Sequence, residues 1–112
     1  MCDNEMAMKA CRPIPAGTDP LSGHDLEHLL SHAEGWERDG GTIAKAFQFE
    51  DHYQTIAFVN AVAWISHRED HHPEMVVGYD TVRISYSTHS VGGLSENDFI
   101  CAAKVDRLVE DA

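Results

Sequence analysis

From Asp51 to His71 the chain runs without a glycine or a proline, and Pro73 then closes the run. A stretch of that length supports a helix of about five turns. Its apolar residues do not form one stripe. At 100° per residue, Ile56, Phe58, Val59, Val62, Trp64 and Ile65 are distributed around the axis. A sheet covers only one side of such a helix, so its other side is expected to be buried against a second subunit. The chain has 112 residues and 43% apolar content, which is enough for one core and too little for two.

Around this helix the sequence divides into recognisable pieces. Residues 1–20 hold Pro13, Pro15, Gly17 and Pro20 among scattered polar residues, so they are expected to be a flexible arm. In "LSGHDLEHLLSHAEG", Leu26, Leu29, Leu30 and Ala33 take amphipathic-helix spacing, with Ser22 as N-cap and Gly35 as stop. Asp39-Gly40-Gly41 lies between Trp36 and a run containing Ile43, Phe47 and Phe49, which predicts a hairpin. Beyond Pro73, Met75-Val76-Val77 and the alternating Val82, Ile84 and Tyr86 predict two more strands, turning near Tyr79-Asp80. Ser95 then caps a last helix whose apolar face is Phe99, Ala102, Ala103, Val105 and Leu108. The order α-β-β-α-β-β-α predicts an α+β fold: a four-stranded antiparallel sheet with helices packed on one face, forming a single domain over residues 21–112.

Charge and composition exclude several functions. With 19 acidic against 8 basic residues the formal charge is -11, which repels phosphate backbones and anionic headgroups. Neither nucleic acid nor a membrane is an expected direct partner. There is no run of about 20 apolar residues and no apolar signal-peptide core, so a cytoplasmic location is expected. Cys2, Cys11 and Cys101 are odd in number and lack CxxC spacing, which predicts free thiols rather than a disulfide framework or a thiolate zinc site.

Titratable groups concentrate in "SHREDHHPEM", residues 66–75. Pro73 disfavours a helical conformation at His72, so the long helix is expected to stop near His71 and to send His72 into an extended strand. His67 and His71, four residues apart, would share a helix face. His89 is expected at the end of the fourth strand, where the hairpin returns it beside His71 and His72. Asp98 has two readings of equal weight. It can serve this histidine cluster, or it can be the acidic partner of a capping box with Ser95. His24, His28 and His32 also recur every four residues, but opposite the leucine stripe, and are read as a solvated face.

Other chemistries fit less well. "HREDH" has the histidine spacing of a zinc-protease helix, but Arg68 stands where that motif needs glutamate. A metal site among His71, His72, His89 and Asp98 stays open, although adjacent residues rarely ligate one ion together. Ser85, Ser87 and Ser90 lack a nucleophile elbow, and Gly92-Gly93 is too short for a phosphate loop.

The composite pattern resembles the pterin-4a-carbinolamine dehydratase family. Its motif is met at His67, then at His71-His72-Pro73, Tyr79, His89 and Asp98, with every spacing satisfied. "YSTHSVGGLSENDF" is also typical of that family, and the similarity runs from about Leu21 to Leu108. The resemblance implies a cofactor-independent dehydratase, using neither metal nor organic cofactor, that acts on 4a-hydroxytetrahydropterin and so recycles the pterin of an aromatic amino acid hydroxylase. It implies His71, His72 and His89 as the acid-base and orienting set, with Asp98, Thr88, Pro73 and His67 in supporting places. It further implies a homodimer through sheet extension or a homotetramer through the long helix. A second expectation from the family is a non-catalytic role, binding and stabilising the dimer of a transcription factor.

Overall fold

The structure, a computed structural model, describes residues 4–110, so Cys2 lies outside the described residues. In chain order the elements are α1 (Asn4–Met8), α2 (Gly23–Ser31), β1 (Glu37–Asp39), β2 (Thr42–Gln48), α3 (His52–Glu69), β3 (Glu74–Val77), β4 (Thr81–Tyr86) and α4 (Glu96–Glu110), with a 3-10 turn at His89–Val91. The four strands form one antiparallel sheet in the order β1-β2-β4-β3. From residue 21 onward the expected α-β-β-α-β-β-α order is present, and α1 is an addition in front of it.

Strand periodicity decides which face carries the core. On β4, Val82, Ile84 and Tyr86 are fully buried while Thr81 and Arg83 are exposed. On β2, Ile43 and Phe47 face the same interior while Ala46 faces out. Helices α3 and α4 pack on the buried face, contacting each other and β4. Rings run through this core in sequence: Phe49 and Phe47 each lie 4.9 Å from Phe58, and Trp36 lies 6.1 Å from both Phe47 and Tyr86.

Each long helix begins on a side-chain cap. Asp51 accepts from the backbone N–H of Gln54 at 2.8 Å and starts α3. Ser95 accepts from the N–H of Asn97, and Asp98 reaches back to the N–H of Ser95 at 2.9 Å, which completes a capping box at α4. Helix α2 runs from Ser22 as expected but ends at Ser31, ahead of Gly35. His24, His28 and His32 are exposed along it, as their spacing predicts.

The segment before residue 21 differs from the expected arm. Met6 and Ala7 of α1 are buried, α1 packs on α4, and Lys104 Nζ donates to the Ala7 carbonyl at 2.7 Å. Further on, Cys11 N–H donates to Glu69 Oε1 at 2.8 Å, and Arg12 and Asn97 exchange two hydrogen bonds of 3.2 and 2.7 Å. Pro13, Pro15 and Pro20 bar regular helix or ladder structure there, but contacts with α3 and α4 hold the segment all the same. Helix α4 is therefore covered on two sides, which explains why Cys101 and Ala102 are as buried as Ile100 and Val105.

Candidate active site

The long helix ends two residues earlier than the proline alone predicts. Asp70 takes the left-handed conformation, φ 52°, and its N–H donates to the His67 carbonyl while that of His71 donates to Ser66. This is the paired hydrogen-bond pattern of a Schellman stop, with aspartate where glycine is usual. The reversal at Asp70 removes His71 from the helix, so His67 and His71 do not share a helix face. His67 stays exposed on α3 and does not line the cleft formed by His71, His72 and His89. His71 and His72 form an irregular link to β3, whose Glu74 pairs with Ser85.

His89 is likewise not on a strand. Strand β4 ends at Tyr86, Thr88 makes an isolated bridge to Gly93, and His89 opens the 3-10 turn. The hairpin nevertheless returns it to the neighbourhood of residues 71 and 72. A cleft of about 500 Å³ is lined by His71, His72, Thr88 and His89, together with Glu69 and Arg12. The side chains of His72 and His89 make no hydrogen bond to other described residues. Pro73 does not line the cleft, and it disfavours helical backbone at His72 ahead of β3.

Asp98 performs both of its expected tasks at once. Its carboxylate is completely buried. Oδ1 lies 2.6 Å from His71 Nε2, and Oδ2 accepts from the Thr88 hydroxyl at 2.8 Å and from Ser95 N–H at 2.9 Å. An ionised carboxylate only accepts, so the proton between it and His71 belongs to Nε2. Nδ1 is then left as the second functional nitrogen of that ring.

Three contributors carry no functional signal in the sequence. Tyr86 appeared only as an inward strand position, yet its ring stacks on His71 with centroids 5.7 Å apart and planes 6° from parallel. Burial, followed by the Cys101 thiol beside it, pushes the Tyr86 hydroxyl far above its ordinary range, so it stays neutral wherever histidines titrate. Arg12 and Cys11 line the cleft from the N-terminal segment, and no local motif marks them. Tyr79, the aromatic of the motif, is instead at the β3–β4 turn, where His52 stacks on it and bonds its carbonyl at 2.9 Å. Among the described residues no group of three or more His, Cys, Asp and Glu side chains is arranged to hold a metal ion. No helix among them is long and apolar enough to cross a membrane.

Comparison with known proteins places the chain in a family. The family model for pterin 4 alpha carbinolamine dehydratase matches residues 19–108. A protein of Nitrosospira multiformis is 53% identical over 107 residues, covering 96% of this chain and 95% of its own length. One of Nitrosomonas eutropha is 54% identical over 110 residues, covering 97% and 96%. Both carry pterin-4-alpha-carbinolamine dehydratase as a provisional name. A crystal structure of a transcriptional coactivator/pterin dehydratase from Brucella melitensis superposes with TM-score 0.77 at 27% identity, covering 80% of this chain and 98% of that one. A pterin dehydratase-like protein described as a RuBisCO assembly factor in the alpha-carboxysome superposes with TM-score 0.56 at 29% identity, covering 67% and 87%.

Proposed function

Because the chain belongs to the pterin 4 alpha carbinolamine dehydratase family, we propose that it removes water from 4a-hydroxytetrahydropterin by proton transfer through the cleft histidines. The product is the quinonoid dihydropterin, and the reaction restores a pterin spent by an aromatic amino acid hydroxylase. Two proton movements are required. The departing hydroxyl must gain a proton, and the neighbouring ring nitrogen must lose one as the C=N bond forms. Imidazole titrates nearest neutral pH and can serve either step.

The observation that carries this reading is the 2.6 Å bond between Asp98 and His71 Nε2. A buried carboxylate stabilises the imidazolium and fixes the tautomer, so His71 is suited to gain a proton at Nδ1. His72 and His89, which face the same cleft, are the groups to donate to the leaving oxygen and to orient the ring. Thr88 keeps Asp98 in place through its 2.8 Å hydrogen bond. Pro73 acts by directing the chain, and His67 has no part in the step. The reaction needs neither metal nor organic cofactor.

The decay of enzymatically generated 4a-hydroxytetrahydropterin, followed by ultraviolet absorbance, tests this reading. Acceleration by the purified protein that survives chelation is expected and should be lost in His71→Ala and His89→Ala. Activity lost on chelation would overturn the metal-free step, and unchanged turnover in both variants would overturn the histidine assignment.

A second reading is a binding role toward a protein partner such as a transcription factor dimer. It is favoured by the outer face of α3, where Tyr53, Ile56 and Trp64 are exposed. A folded, oligomeric protein without effect on the carbinolamine would establish that reading over the enzyme. A homodimer or homotetramer built on the same face is compatible with either one.

A further inference from the structure

Cys11 and Cys101 are 90 residues apart in sequence, and their Sγ atoms lie 3.5 Å apart. Both are free thiols. Their environments differ sharply. Cys101 is fully buried in α4, whereas Cys11 is half-buried and lines the cleft. The backbone at Cys11 is held on both sides, by the Cys11 N–H bond to Glu69 and by the Arg12–Asn97 exchange. These bonds aim the Cys11 sulfur at Cys101, and it also contacts the Asn97 carbonyl at 3.6 Å.

We propose that Cys11 and Cys101 are a reversible dithiol pair, oxidised to an intramolecular disulfide by hydroperoxides, which pins the N-terminal wall of the cleft to α4. The two thiols react in order because of where they sit. The hydrogen bond with Cys11 and burial hold the Cys101 thiol protonated far above its ordinary range, so Cys101 does not begin the reaction. A peroxide reaches Cys11 first through the cleft. The Cys11 thiol takes one peroxide oxygen to become a sulfenic acid, releasing an alcohol, or water when the oxidant is hydrogen peroxide. The Cys101 sulfur then attacks the Cys11 sulfur, the Cys101 proton passing to the departing hydroxyl, which leaves as water as the S–S bond closes. Overall two thiols lose two electrons and two protons while one hydroperoxide is reduced.

Closing the sulfurs to bonding distance needs a movement of about 1.5 Å. The N-terminal segment can supply it, being held by a few hydrogen bonds rather than by a strand ladder or a long helix. Oxidation then adds a covalent tie to the hydrogen bonds that already hold Arg12, Pro13 and Ile14 in the cleft wall, and reduction removes that tie. This step does not depend on which reaction the cleft performs.

The test uses the full chain carrying Cys2→Ser, so that only the two thiols remain. The folded protein is treated with hydrogen peroxide, quenched, and alkylated in denaturant. The expected product is a monomer that takes up no alkyl group until it is reduced, whose unreduced digest contains the 11–101 cross-linked peptide. Hydrogen exchange over residues 11–14 should slow several-fold in that form. Full alkylation of both cysteines, oxidation confined to Cys11, a cross-link between chains, or unchanged exchange would each overturn the proposal. In Cys101→Ser the reaction should stop at a Cys11 sulfenic acid that a 1,3-dione reagent traps.

Discussion

His71 lies flat on Tyr86, 5.7 Å between ring centroids and 6° from parallel, so the imidazole at the cleft forms the end of a series of rings that begins deep in the core. Tyr86 is wholly buried, and among the described residues its hydroxyl makes no well-formed hydrogen bond, with only the weak influence of the neighbouring Ser66 and Cys101 side chains. The ring therefore supports His71 by packing, and the hydroxyl adds nothing to that. Leaving a buried hydroxyl unpaired costs about 1–3 kcal/mol. Tyr86→Phe is expected to keep turnover unchanged and to leave stability equal or raised by about 1 kcal/mol in urea unfolding. A marked loss of turnover would show that the hydroxyl takes part.

Asp98 couples a helix cap to the cleft. In Asp98→Asn the amide oxygen can still accept from Ser95 N–H and Thr88, but the amide nitrogen then faces His71 Nε2 and requires the opposite tautomer. Turnover is expected to fall on the order of 100-fold, with a stability loss of about 1 kcal/mol or less. Asp98→Ala removes the cap as well and should cost about 2–4 kcal/mol. Paired kinetics and melting separate the two effects, and equal stability losses in both variants would contradict the tautomer argument.

The left-handed residue at Asp70 is the one non-glycine position with positive φ among the described residues. That conformation is unfavourable for a residue bearing a Cβ, although less so for aspartate. Asp70→Gly should raise stability by about 0.5–1 kcal/mol with the position of His71 unchanged. Chemical denaturation measures the gain, and a destabilised variant would mean that the Asp70 side chain serves the cleft.

The same residue shows what sequence can and cannot convey. Pro73 announced a helix stop through a local steric rule, and the stop is there, but the end falls two residues early because aspartate accepts a backbone that propensity reserves for glycine. The four-residue spacing of His67 and His71 places them on one face only if the helix continues between them, and it stops at Glu69. The Asp98 capping box was readable because Ser95 and Asp98 are neighbours. Its bond to His71 joins residues 27 positions apart, so sequence spacing alone leaves it one of two readings. The N-terminal segment had no local signal at all, since what holds it are Glu69, Asn97 and Lys104, between 58 and 97 residues away in sequence.

That segment is also held by charge. Lys9 and Arg12 each reach Glu96 at 3.1 Å. Burial alone would raise the Glu96 carboxyl, but the hydrogen bonds and charges of Lys9 and Arg12 outweigh it and hold the group below the ordinary carboxylate range. A carboxyl whose folded value is lowered stabilises the docked state above its free value, and that contribution disappears as pH falls through the folded value. Protection of residues 9–14 against hydrogen exchange, taken relative to the intrinsic rate at each pH, should therefore be high at neutral pH and fall as the pH drops below the ordinary carboxylate range. Glu96→Gln should exchange faster at neutral pH and lose most of this acid dependence. An exchange profile that is the same in the variant would remove Glu96 from the docking.

Helix α3 leaves Trp64 61% exposed and Tyr53 83% exposed on its outer face, with Ile56 between them. These positions are 53, 56 and 64, a helical stripe pointing away from the sheet, and Arg68 lies 5.3 Å over the Trp64 ring. Residues that bulky on one face fit an interface better than solvent. The edge strand β3 adds a second candidate surface, with Val76 and Val77 exposed beside unpaired backbone groups. A homodimer or homotetramer mass is expected in light scattering at micromolar concentration. Trp64→Glu would place a charge in the helix-built contact and should lower the mass without unfolding the chain, because the indole is not part of the core. If the mass falls only when β3 is changed, as in Val76→Lys, assembly proceeds through the sheet edge. A monomer in the unmodified protein would mean that neither surface joins copies of this chain.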